Sequence, residues 1–302
     1  MPASQTRTLA RADRESAEMT VIITGATSGI GLAAAKALVA HGVDVAIVAR
    51  NRSRAQQAVD RIAKAGDGRR PPVDALVADL SSQEQVRTLA GEIITRYPRI
   101  DALLNNAGAM FTNRQISVDG IEMTWAVNYL APFLLTNLLV DRLKEGAPSR
   151  IITTASAAHE GATIPFDDIN ADRSFGGFRR YGQSKLANIL FTRELARRIE
   201  GTGVTATCFH PGFVATGFNH NNGPILSLGM TLLSLVSRKP GKGAETLVWL
   251  ATAPDAIGMS GGYFVDRRLQ APSAAAQDDD TARRLWELSA VQTGLRTGPL
   301  RD

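Results

Sequence analysis

The sequence predicts an α/β protein built on a doubly wound parallel sheet of about seven strands, with helices on both faces. Two observations carry that expectation. From Met19 onward, short β-branched runs alternate with longer amphipathic stretches, the pattern of βαβ units. The first run also opens into a glycine-rich turn at the head of the first helical stretch, Thr24-Gly-Ala-Thr-Ser-Gly-Ile-Gly31. Right-handed crossovers then bury a parallel sheet on both sides.

Taken in order, strands are expected at Thr20–Thr24, Val43–Val48, Val73–Ala78, Ile100–Leu104, Arg150–Thr154 and Val204–Phe209, with a last one near Gly262–Val265. Helices are expected at Ile30–Ala40, Arg54–Lys64, Gln83–Arg96, Thr124–Leu143, Tyr181–Ile199 and Gly243–Ala253. Thr281–Val291 closes the chain as a helix whose apolar stripe is Leu285, Trp286 and Leu288. No repeat, low-complexity tract or linker interrupts residues 19–270. Residues 19–302 therefore read as one domain behind a flexible tail, residues 1–18. Within it, residues 213–239 place Gly217, Gly223, Pro224 and Gly229 around the apolar run Ile225–Val236. Glycines permit rearrangement there and an apolar centre gains by covering a greasy ligand, so the segment reads as a lid.

The 302 residues are 44% hydrophobic and 21% charged, enough apolar material for one large core. The net charge of +5 comes from scattered basic residues rather than blocks, which argues against nucleic acid as a partner. The one cysteine, Cys208, lies in an apolar strand run and can form no intramolecular disulfide. His41, His159, His210 and His220 show no metal-ligand spacing, so no metal is expected. No run reaches the ~18 consecutive apolar residues of a membrane span, and residues 1–18 lack the apolar centre of a secretory signal. A cytoplasmic protein without a transmembrane segment is expected.

The turn Gly25-Ala26-Thr27-Ser28-Gly29-Ile30-Gly31 has the spacing G-x-x-x-G-x-G. Glycines at a strand–turn–helix junction let the backbone approach a pyrophosphate, and the helix N-terminus offers free N–H groups and a positive dipole end. That describes a Rossmann-like nucleotide site. An NAD site ordinarily places Asp or Glu about 20 residues further on, at the ribose. Here the second strand ends Val48-Ala49-Arg50-Asn51-Arg52, with no acid. Arg50 can instead hold a 2′-phosphate through charge-assisted hydrogen bonds. NADP is the expected cofactor, with Arg50 and Asn51 at its adenosine end; the alternative is that Arg50 and Arg52 only begin a solvated helix. Asp79, before Leu80, is placed to accept from the adenine amino group. Asn105-Asn106-Ala107-Gly108 ends the fourth strand, where small residues let a ribose lie against backbone.

Tyr181 and Lys185 stand four apart and so share one helix face. A tyrosine with pKa near ~10 is a poor base at neutrality, and a neighbouring ammonium favours its phenolate. In the reductive direction the same phenol is the general acid. Ser156 follows the strand run at its carboxyl end, where doubly wound sheets bind ligands. Its hydroxyl can orient a substrate oxygen against Tyr181; the alternative is a serine that only caps a turn. Asn128 lies in an apolar helix, where a buried amide must find partners, in the simplest case nearby backbone. Between Ser156 and Tyr181, Thr163–Asn170 reads as a loop beside the substrate mouth.

Thr24–Gly31, Asn105–Gly108, Asn128, Ser156, Tyr181-Gly-Gln-Ser184-Lys185 and His210-Pro211-Gly212 stand in an order and spacing that resembles the short-chain dehydrogenase/reductase family over residues 19–265. Ser156-Ala-Ala-His159, the run Tyr181–Leu195 and Ala282–Ser289 are similar to its retinol dehydrogenase-like branch. The resemblance implies hydride transfer between NADP(H) and a lipophilic alcohol, aldehyde or ketone, with Tyr181 as general acid–base beside Ser156 and Lys185. It implies that Asn128 holds a water linking the Lys185 ammonium to solvent. It also implies that Pro211, Gly212, Val214 and Thr216 bind the nicotinamide carboxamide. Two other readings stay open: an NADP-sensing regulator without turnover, and a family member that reduces a double bond. Finally, the Thr124–Leu143 and Leu186–Leu195 helices are apolar around more of their circumference than one sheet contact needs, which predicts a homodimer or homotetramer.

Overall fold

Eight strands lie in the order β3-β2-β1-β4-β5-β6-β7-β8 in a computed structural model that describes residues 19–66, 73–212 and 238–295. They are β1 (Thr20–Thr24), β2 (Asp44–Ala49), β3 (Asp74–Val77), β4 (Ala102–Asn105), β5 (Ser149–Thr154), β6 (Val204–His210), β7 (Tyr263–Val265) and β8 (Arg268–Gln270). The helices are α1 (Gly29–Ala40), α2 (Arg52–Ala63), α3 (Gln83–Arg96), α4 (Met123–Glu145), α5 (Gly177–Arg198), α6 (Pro240–Thr252) and α7 (Asp279–Gln292). The expected tail, and the lid with Val214 and Thr216 except for its last two residues, lie outside the described residues.

Alternation along the strands sorts side chains to the two faces. Ile22 joins a core with Leu89 of α3, Phe133 of α4, Leu190 of α5 and Trp286 of α7. Its neighbours Val21 and Ile23 join a second core with Leu38 of α1, Ile62 of α2 and Leu247 of α6. The helices thus form one layer on each side of the sheet. Every strand pair from β3 through β7 is parallel. The order reverses between β1 and β4, and that switch point opens a crevice at the carboxyl ends of the strands.

Three features differ from the sequence reading. β8 is an eighth, antiparallel strand, joined to β7 by Asp266 and Arg267, both left-handed at φ 50° and 61°. That is the geometry of a two-residue hairpin turn, but without the Asn-Gly or Asp-Gly signature, and β8 itself is exposed along its length. α5 begins at Gly177, a full turn before Tyr181. α4, 23 residues long, is long and apolar enough to cross a membrane, but it is mostly buried within the fold. It is the central core helix.

α7 also bears on the expected oligomer. Trp286 meets Phe133 of α4 edge-on at 5.0 Å and stacks on Phe191 of α5 at 5.8 Å. Beside them, Tyr129 Oη and Ser289 Oγ are 2.6 Å apart. The apolar circumference from which a homodimer or homotetramer was expected is therefore covered within the chain.

Candidate active site

At the end of β1 the chain turns through Gly25, whose φ of +71° suits glycine. A Cβ there would lie 2.7 Å from Ala107 Cα, and one on Gly31 would lie 2.4 Å from the Gly25 carbonyl. Both positions admit no side chain. Ser28 precedes α1 but its hydroxyl caps no N–H, so the first-turn amides keep their donors for a ligand. Thr27, Gly29 and Ile30 are partly buried in this turn and Ser28 is exposed. A bare helix N-terminus behind two sterically obligatory glycines fits a dinucleotide pyrophosphate.

The other cofactor residues divide. Arg50 is exposed at the end of β2, with no hydrogen bond or ion pair to another described residue, and so is free to meet an anion. Asn51 caps α2, its Oδ1 accepting from Arg54 N at 3.1 Å. Asp79 Oδ1 accepts from Ser81 N at 2.9 Å and Ser81 Oγ at 2.8 Å. Leu80 packs against the core. The Asn106 side chain braces the glycine turn, donating to the Thr24 carbonyl at 2.9 Å and the Gly25 carbonyl at 3.3 Å. Thr24 completes that brace: its Oγ1 accepts from the N–H groups of Asn106 and Ala107, each at 3.0 Å. Gly108 stands where a Cβ would approach Lys185 Nζ at 3.6 Å, and joins the cofactor end to the catalytic end. Pro211 and Gly212 follow β6, with Gly212 against the Arg238 side chain.

Ser156, Tyr181, Lys185 and Asn128 come together across β5, α5 and α4. Burial pushes the Tyr181 phenol up to about 12, and the Ser156 hydroxyl opposes that rise. Lys185 Nζ lies 5.5 Å from the centre of the Tyr181 ring and donates to the Thr154 carbonyl at 2.9 Å. The lysine is 2% exposed, and burial pulls its ammonium down to about 8. The phenol thus holds its proton at neutral pH beside a cation that withdrawal from water makes easy to discharge.

Asn128 sits in a π turn, Ala126–Leu130, inside α4. Its amide is saturated: Oδ1 accepts from Ala109 N at 2.8 Å, and Nδ2 donates to Ala109 O at 2.8 Å and Ser184 Oγ at 3.1 Å. The side chain pins the segment after β4 to the helix, at a π turn of the kind often found at functional sites. Ser184 also donates to the Tyr181 carbonyl at 2.7 Å, so it faces α4 rather than the substrate.

Several residues that hold this site carry no motif-like signal. Asn188 Nδ2 donates to the same Thr154 carbonyl at 3.2 Å. Arg180, 1% exposed, pairs with Glu122 Oε2 at 2.7 Å, lies 4.5 Å over the Trp125 ring and donates to the Ile169 carbonyl. Glu122 in turn caps α4 through Thr124 N and Trp125 N. One buried ion pair thus ties the Tyr181 helix, the Asn128 helix and the 163–170 loop. An unpaired strong charge cannot be buried, so an arginine before Tyr181 needed its acid nearby. No sequence pattern marks Glu122 as that partner.

The profile of the short chain dehydrogenase family matches residues 19–224. Retinol dehydrogenase 14 of Mus musculus is 42% identical over 289 residues, covering 91% of this chain and 86% of that protein. A proposed daunorubicin C-13 ketoreductase of Streptomyces is 42% identical over 276 residues, covering 91% of this chain and 92% of its own. Among solved structures, a short chain dehydrogenase of Burkholderia cenocepacia in complex with NADP superposes with TM-score 0.63 at 26% identity, covering 86% of this chain and 98% of that one. A Mycobacterium paratuberculosis protein superposes at 0.76 with 29% identity, covering 93% and 96%. The chain belongs to the short-chain dehydrogenase/reductase family, on its retinol dehydrogenase-like branch, and is an NAD(P)-dependent oxidoreductase of alcohols and carbonyls.

Proposed function

We propose that this enzyme interconverts a lipophilic carbonyl and its alcohol with NADP(H), using Tyr181 as the general acid–base. The observation that carries the reading is Lys185, its Nζ 5.5 Å from the centre of the Tyr181 ring and bonded to the Thr154 carbonyl, two residues before Ser156. When bound, the nicotinamide supplies or takes up the hydride. Tyr181 Oη gives a proton to the carbonyl oxygen in reduction and takes it back in oxidation. Ser156 Oγ hydrogen-bonds that same oxygen and orients it. Lys185 stabilises the phenolate left behind, and the π turn at Asn128 offers a carbonyl where a water can connect Lys185 to solvent. The NADP preference is supported by an exposed Arg50 and by Ala49, which has no carboxylate to repel a 2′-phosphate. A lipophilic substrate is supported by what the named relatives act on, retinol and daunorubicin.

The test is steady-state kinetics on a panel of short- and long-chain aldehydes and ketones with NADPH and NADH. The reading expects kcat/KM to be higher with NADPH and to rise with substrate apolarity. Equal use of both nucleotides would overturn the cofactor assignment, and a preference for small polar carbonyls the substrate class.

A further inference from the structure

The catalytic serine rides on a short turn that is held from two sides by imidazoles. Ser156 caps the 3-10 turn Ala157–His159, its Oγ accepting from Ala158 N at 3.2 Å. The Ser156 carbonyl accepts from His159 N at 3.1 Å and from His159 Nδ1 at 2.7 Å. A carbonyl can only accept, so Nδ1 carries the ring proton. Nε2 is then an acceptor, and it receives the Ser273 N–H at 3.1 Å. On the other side, Ala157 N donates to His210 Nδ1 at 3.3 Å. His159 is 1% exposed and its ring meets Tyr263 edge-on at 5.3 Å, so it has no freedom to turn.

Ser273 opens the segment that leads through Ala274–Gln277 into α7. The imidazole therefore joins two distant parts of the chain, the catalytic turn and the point where the C-terminal segment docks. We infer that His159 is a positioning residue for Ser156, and that through it the docking of residues 272–292 fixes where the catalytic hydroxyl stands. This inference rests on Ser156 and Tyr181 acting as proposed above. Losing the link frees the turn to move while leaving the glycine turn of β1, and so nucleotide binding, intact. A displacement of the order of 1 Å at a reacting group can cost roughly a hundredfold in rate.

The test is a double-mutant cycle on the full-length chain. His159→Phe keeps the ring but removes both hydrogen bonds, and kcat is expected to fall at least tenfold with the KM for NADPH unchanged. Ser273→Pro attacks the same contact from the other side, removing the donor at a residue whose φ of −55° proline accepts; it serves should His159→Phe fail to fold. Ser273→Ala retains the N–H and loses only an Oγ that is buried without a partner among the described residues, so it controls for packing. In a Ser156→Ala background, where no hydroxyl remains to position, His159→Phe and Ser273→Pro should each lower kcat less than twofold further. A full, additive loss in that background would overturn the inference, since the histidine would then act on the fold at large. Amide hydrogen exchange reads the link without turnover. Faster exchange at Ala158 and His159 in Ser273→Pro supports it even if no carbonyl is reduced, and unchanged exchange overturns it even if the enzyme is active.

Discussion

Gly182→Ala tests the geometry of the catalytic pair through a single methyl group. A Cβ on Gly182 would lie 2.5 Å from the Ala158 carbonyl oxygen, against 3.4 Å or more in ordinary contact. The turn carrying Ser156 must retreat from α5 by about 0.9 Å, and Tyr181 is the residue next to the glycine. Misplacement on that scale costs up to about a hundredfold in rate, or close to 3 kcal/mol in the barrier. The substitution also favours the helix, since alanine outranks glycine by about 1 kcal/mol in a helix interior. The folded protein should therefore melt within a few degrees of the parent while kcat falls. The assay pairs steady-state reduction of a carbonyl with a direct measurement of NADPH affinity, which should not move. Turnover within threefold of the parent would show that the turn yields without carrying Ser156 away, and the tight approach would have no catalytic meaning.

Three further outcomes are expected. Arg50→Ala should lower kcat/KM with NADPH by tenfold or more and leave NADH nearly unaffected, because only the 2′-phosphate loses a partner; parallel losses with both nucleotides would refute that role. Without cofactor, the Lys185 ammonium is held at about 8 in the folded chain against an ordinary 10.5. Below pH 8 its burial costs stability, and between these values the unfolded chain binds more protons, so stability rises with pH. Lys185→Met should thus be inactive yet more stable at pH 7, by up to about 3 kcal/mol, with the margin closing toward pH 10.5 in denaturation curves; an equally or less stable variant at pH 7 would contradict this. Because α7 covers α4 and α5, light scattering at micromolar concentration should give a monomer mass, and a dimer or tetramer would show that another face pairs.

Much of the fold was legible because period and punctuation agreed. Glycines 25, 29 and 31 sit between a β-branched run and a helix, and no other arrangement buries both. Tyr181 and Lys185 were legible because helical spacing puts them on one face and the surrounding motifs stand in the order of a known family. What escaped depends on contacts between residues far apart in the chain. Glu122 and Arg180 are 58 positions apart, and nothing local marks them as a pair. His159 and Ser273 are 114 apart, and the link uses a backbone N–H that every residue but proline owns. The oligomer expectation started from an excess of apolar helix surface, and nothing local in the sequence marks Trp286 as covering part of it from the same chain. The Asn106 Nδ2 also braces Thr24 and Gly25, a contact set by loop geometry that sequence does not carry.

The most direct test of the account is Tyr181→Phe. The change removes one oxygen and leaves the ring beside Lys185, so folding and NADPH affinity should match the parent. Losing a proton donor costs about a hundredfold to ten-thousandfold, and the rate of NADPH oxidation with the best carbonyl of the panel should fall by that much. Turnover within threefold of the parent would contradict the central claim that this phenol carries the proton.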